Sequence, residues 1–236
     1  MAKSTREDTA VTQAPSYSYV SSNYSPCGVT TQVRVLRVVF YGSHYRLVRS
    51  EEEKQPFEWT LETAIALGAP TIRVWAGGVG SADASPPYRR RVEEESRRVA
   101  ALAAAEGLSI AYEFQGGTLT DTNASAAALL RAVDHENVRT YWQPNHDEPL
   151  GYNLDGLRTV LPWLTHVHVH HFGGDGPERK QFPLGEGHEQ WTRYLEVAAA
   201  AERERFALLE FVAGGTVEQL GDDARVLKQW LNQANG

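Results

Sequence analysis

The expected fold is a parallel α/β barrel, because strand-like and helix-like stretches alternate from residue 33 to the end with connections of crossover length. Two further observations point the same way. A chain of 236 residues suits a single (β/α) barrel, which typically needs roughly 250. The apolar stretches IAYEF and ALLEF each carry one glutamate near their C-terminal end, Glu113 and Glu210. Strand C-termini are where barrels of this kind gather their chemistry.

Residues 1–32 are rich in Ser, Thr and Tyr, lack helical periodicity, and are expected to form an irregular arm, leaving 33–236 as the barrel domain. Val33 to Ser43, VRVLRVVFYGS, is β-branched and apolar and reads as a first buried strand ending at Gly42-Ser43. Phe57 to Leu67 reads as a helix stopped by Gly68 and Pro70, and Thr71 to Trp75 as the second strand, followed by the flexible AGGVG. A long helix follows. Ser85 supplies its N-cap, Pro86 and Pro87 its first turn, and Gly107 the residue past its end.

Leu108 to Phe114 is the third strand, and Ala124 to Val133 a helix capped by Thr120 or Asp121. Val138 to Gln143 is the fourth strand, closed by Pro144, which cannot extend a central ladder. Leu154 to Leu161 reads as a short helix. The fifth strand alternates His166, His168 and His170 with Val167 and Val169 and runs into a Gly-rich loop with Asp175, Glu178 and Arg179. Histidines in a buried strand need partners, so this strand end is expected to carry a site; satisfied histidines at a sheet edge are the plainer reading. Trp191 to Arg205 reads as a helix, Phe206 to Phe211 as the sixth strand, and Thr216 with Gln219 as a capping box opening the last helix. Six strands are two short of a closed eight-stranded barrel, so the barrel is expected to be incomplete or irregular at its N-terminus.

Composition narrows the function. A net charge of −7 argues against a nucleic-acid partner, and the basic run Arg89 to Arg91 is followed by Glu93 to Glu95 as a solvated helix face. No apolar run approaches the roughly 20 residues of a membrane span. The single cysteine, Cys27, excludes an internal disulfide and fits a reducing compartment, and no secretory signal is visible, so a cytoplasmic protein is expected.

Glu113, Gln143, His168 and Glu210 each end a strand, and in a barrel such positions meet although they are distant in sequence. Two carboxylates, an amide oxygen and an imidazole suit Mn²⁺, Mg²⁺ or Co²⁺, with Zn²⁺ also admitted. A buried carboxylate is costly unless paired or metal-bound, which separates these two glutamates from ordinary strand-end residues. Trp75, Tyr141, Trp142 and Phe172 are candidates for an apolar wall around the site, or for rim packing.

Several pieces together resemble the xylose isomerase-like TIM barrels, which include sugar phosphate isomerases and epimerases, ketose 3-epimerases, inosose dehydratase and the endonuclease IV group. They are ALGAPTIRVWAGG, the strand ending in Glu113, QPNH at 143–146, HVHV at 166–169, Arg179, PLGEG with Trp191, and the strand ending in Glu210. The resemblance covers roughly residues 33–235, and it rests on order and spacing, since no single piece is specific. It implies that Glu113, His168 and Glu210 are metal ligands and that Gln143 stands where the family usually has Asp. It also implies that His146 and Arg179 contact substrate oxygens. His166, two residues from His168, is a candidate for a supporting or substrate-binding role, with Trp75 beside the substrate.

On this resemblance the chain is expected to be a metal-dependent isomerase or epimerase of a keto-sugar or sugar phosphate, with a homo-oligomer admitted. Glu113 and Glu210 would flank the carbon next to the carbonyl, one removing a proton and the other returning it through an enediolate. An inosose dehydratase-type lyase begins with the same proton abstraction and is the alternative, beside a catalytically inactive truncated barrel. The endonuclease branch needs more His and Asp ligands and a basic surface.

Overall fold

The computed structural model describes residues 37–174, 178–201 and 204–234. The expected arm, 1–32, and its boundary with the barrel lie outside them. Strands β1 (Tyr41–Arg46), β2 (Thr71–Trp75), β3 (Ser109–Glu113), β4 (Val138–Trp142), β5 (Leu164–Val169) and β8 (Phe206–Leu209) form one curled sheet in the order β1-β2-β3-β4-β5-β8. Every pairing in it is parallel. Between β5 and β8 lies a small antiparallel hairpin of β6 (Phe172–Gly173) and β7 (Lys180–Gln181). Among the described residues no strand bridges β1 and β8.

The helices are α1 (Arg49–Glu52), α2 (Phe57–Leu67), α3 (Pro86–Ala105), α4 (Asn123–Val133), α5 (Leu150–Val160), α6 (His188–Ala199) and α7 (Val217–Ala234). Their apolar faces cover the outward side chains of the sheet, including Ile72, Val74, Ile110, Tyr112, Trp142 and Val169, all fully buried. Each aliphatic side chain among them contributes about 1.5–3 kcal/mol relative to exposure. The opposite parity of the strands points inward and is polar: Arg73 and Trp75, Glu113, Tyr141, His166 and His168 interact with one another there.

Ser85 caps α3 by accepting from the Tyr88 N–H, and Gly107 takes φ +73° just beyond it, as expected. Other boundaries differ for local reasons. Residues 37–40 are not strand, and β1 starts at Tyr41, because Tyr41 is where pairing with β2 begins. The cap of α4 is Thr122, not Thr120 or Asp121. Thr120 instead gives its hydroxyl to the Glu113 carbonyl, 2.6 Å away. Helix α5 starts four residues earlier than expected, after Pro149, and α6 runs over His188–Ala199 rather than Trp191–Arg205. The capping box of α7 is half formed: the Gln219 N–H donates to Thr216 Oγ1, but the Gln219 side chain turns to Asp223. Among the described residues no helix is long and apolar enough to cross a membrane.

Candidate metal centre

His168 is the middle of the constellation. Its Nδ1 lies 3.2 Å from Glu113 Oε1, 3.1 Å from Glu210 Oε2 and 3.2 Å from Gln143 Oε1. The strand ends converge as expected, because β3, β4, β5 and β8 are consecutive neighbours in the sheet. Ligand atoms of Glu113, His168 and Glu210 all lie within 4.8 Å of one another, close enough to hold one metal ion. A single imidazole N–H cannot serve three oxygens at once, and Glu210 Oε2 is buried with no hydrogen bond. More acceptors converge than there are protons to share, and a divalent cation fits that donor set.

The proton shows the same bias. Burial pulls His168 down, but the nearby Glu113 and Glu210 carboxylates, which favour the protonated ring, outweigh it and raise it to about 9. Burial pushes Glu210 up, yet His168 and His170 outweigh it and bring it to about 2. Gln143 is held for its part: Nε2 donates to the Phe114 carbonyl at 2.6 Å, which leaves Oε1 facing His168.

Glu113 is fixed from the other side. Arg73 Nη1 donates to Oε2 at 2.9 Å, the Trp75 indole N–H donates to the same oxygen, and Arg73 Nη2 reaches the Ser43 carbonyl. Trp75, the residue expected beside the substrate, orients Glu113 through this bond. Sequence reasoning passed over Arg73, although an arginine inside the apolar TIRVW carries the same signal that exposed Glu113. It also assigned no role to His170. His170 is buried, its Nε2 is 2.9 Å from His146 Nε2, and its Nδ1 is 3.7 Å from Glu210 Oε2.

His146 thus reaches the centre through His170, and Phe172 packs on both rings. Burial, then His170 and Arg179, lower His146 to about 4. Arg179 pairs with Asp147, so its charge is already matched. His166, the other candidate on this strand, lies one layer deeper than His168, buried among the rings of Tyr141, Phe206 and Phe40. Trp142 points outward against Tyr194 and is not part of an apolar wall.

Fold and side chains together define an α/β barrel with a cluster of oxygen and imidazole donors at its strand ends. The chain belongs to the xylose isomerase-like TIM barrel family, whose model matches residues 30–231. It is 25% identical over 177 residues to a 3-dehydroshikimate dehydratase from Bacillus anthracis, covering 66% of this chain and 61% of that protein. The chain therefore spans less than two thirds of that relative's length. Among solved structures it is similar to the probable 3-DHS dehydratase involved in petrobactin synthesis from Bacillus anthracis. That match has a TM-score of 0.67 and 22% identity, over 80% of this chain and 76% of that one. A xylose isomerase-like TIM barrel protein from Mycobacterium smegmatis, in complex with magnesium, matches with TM-score 0.67 and 16% identity, over 85% and 75%.

Proposed function

We propose that this chain is a divalent-metal-dependent lyase that removes water from a hydroxy-ketone, using Glu210 as its single base. Glu113, Gln143, His168 and Glu210 would hold the ion. When bound, the cation polarises the substrate carbonyl and acidifies the adjacent C–H.

The observation that carries the reading is the unequal state of the two glutamates. Oε2 of Glu113 is taken by Arg73 and Trp75, and its Oε1 faces His168, so neither oxygen is left for a carbon-bound proton. Glu210 has Oε2 turned to the imidazoles and retains 28% exposure of its side chain, which supports a proton-accepting role for its other oxygen. One base on one side accounts for elimination: Glu210 takes the proton, the C–H electron pair forms the new double bond, and the carboxyl returns the proton to the departing hydroxyl. The two-sided exchange expected for a keto-sugar epimerase needs a second free base. Likeness to a 3-dehydroshikimate dehydratase supports the same choice.

The test is product mass with Mn²⁺-loaded protein, given 3-dehydroshikimate, a keto-inositol or a free ketose. The expected result is a metal-dependent product one water lighter, lost by at least about 100-fold in Glu210→Gln. A product of unchanged mass and inverted configuration that needs both glutamates would restore the epimerase reading and reject this one.

A further inference from the structure

With a dication in place, the centre holds more positive charge than its own carboxylates offset. Glu113 and Glu210 match the ion, while Gln143 and a metal-bound His168 contribute none. Arg73 is left over: its side chain is 12% exposed, and its Nε is buried with no hydrogen-bond partner. A guanidinium so placed costs free energy unless further negative charge approaches.

A second guanidinium stands beside it. Arg46, the last residue of β1, pairs in register with Trp75, and its Cζ lies 4.1 Å from the centre of the indole ring. The same indole donates to Glu113 Oε2, so Arg46 is one ring removed from a candidate metal ligand. His44, on the same face of β1, packs edge-on against that indole. Among the described residues no carboxylate forms an ion pair with Arg46, whereas Arg179 is matched by Asp147. Stacking on a ring face fixes a guanidinium without occupying its N–H fork, which stays free for a planar, bidentate oxyanion.

We infer that the substrate carries an anionic group, a carboxylate or a phosphate, that docks on Arg46 while its ketone meets the centre formed by Glu113, Gln143, His168 and Glu210. This rests on the metal-site reading above but not on the choice of elimination over isomerisation. It makes Arg46 a binding and specificity residue, and Trp75 the plate that sets the distance between the anion and the reacting carbon.

The experiment is calorimetry on the Mn²⁺-loaded full chain with two matched pairs. The first is 3,4-dihydroxybenzoate against catechol, and the second dihydroxyacetone phosphate against dihydroxyacetone. In one pair the charged member should bind at least about tenfold more tightly, and which pair does so distinguishes carboxylate from phosphate. Arg46→Met should bring that ratio close to one without altering the affinity of the neutral member or of Mn²⁺, and Arg46→Lys should keep part of it. Equal affinities in both pairs, or a preference that survives Arg46→Met, would overturn the inference. Mn²⁺ is titrated on the same samples. A chain that binds no metal rejects the centre and the inference together, while a loaded chain without an Arg46-dependent ratio rejects the anion site alone.

Discussion

Arg73 and Glu113 face each other from neighbouring strands, Nη1 to Oε2 at 2.9 Å, with only 12% and 4% of their side chains exposed. The pair fixes the glutamate before any ion arrives and removes one of its oxygens from proton chemistry. It makes the site asymmetric, with a held carboxylate on β3 and a freer one just beyond β8.

Breaking that pair should therefore destabilise the metal-free protein more than the metal-bound one. Arg73→Met leaves Glu113 buried without its cation, a loss of about 3–5 kcal/mol for a buried ion pair. A bound dication restores the missing positive charge. Thermal unfolding with and without Mn²⁺ is expected to show a larger metal-induced rise in the variant than in the wild type; equal rises would separate Arg73 from the centre.

Gln143→Asp should tighten Mn²⁺ binding by about tenfold or more, because it replaces a neutral amide oxygen with a charged one. Calorimetric titration reads this directly. Weaker binding would mean that Gln143 serves only to bond the Phe114 carbonyl.

Acid and alkali should act on stability through different histidines. His166, lowered to about 4 by burial and then by His168, resists a proton that the unfolded chain accepts near 6.5. Stability from this source is present above pH 6.5 and is lost as pH falls towards 4, by about 3 kcal/mol at most, with a smaller share from the half-buried His146. His168, raised to about 9, acts in the opposite sense: its contribution is complete below 6.5 and is lost as pH rises through 9. Urea titrations of metal-free protein should thus peak near pH 6.5, and Mn²⁺ should abolish the alkaline decline by taking the proton's place. An alkaline limb unchanged by metal would contradict this account.

Outside the site, Gly77 holds φ +86°, and a Cβ there would stand 2.3 Å from Tyr88 Oη, the acceptor for the Gly78 N–H. Gly77→Ala should cost about 1–3 kcal/mol in urea unfolding through strain and overpacking. Adding Tyr88→Phe should recover part of it. A neutral Gly77→Ala would show that the loop simply shifts.

The parallel barrel and the four strand-end residues were legible because period-two burial exposes a charged residue in an apolar strand, and both IAYEF and ALLEF show it. Convergence followed from topology alone. The partners of Glu113 were not legible: nothing in TIRVW says that Arg73 and Trp75 reach across to the next strand's carboxylate, since this depends on register. His146 was indicated by the family resemblance alone, and its bond to His170 depends on where the chain turns after β5. The ends of β1 and α6 moved because their first paired or packed residues, not their propensities, set the boundaries.

The proposed chemistry depends on one ion among Glu113, Gln143, His168 and Glu210. Calorimetric titration of Mn²⁺ into the metal-stripped full chain and into His168→Ala tests it most directly. The account predicts one ion per chain in the wild type and loss of that binding, with the fold retained, in the variant. Binding of equal stoichiometry and affinity in both proteins, or no binding in either, would contradict it.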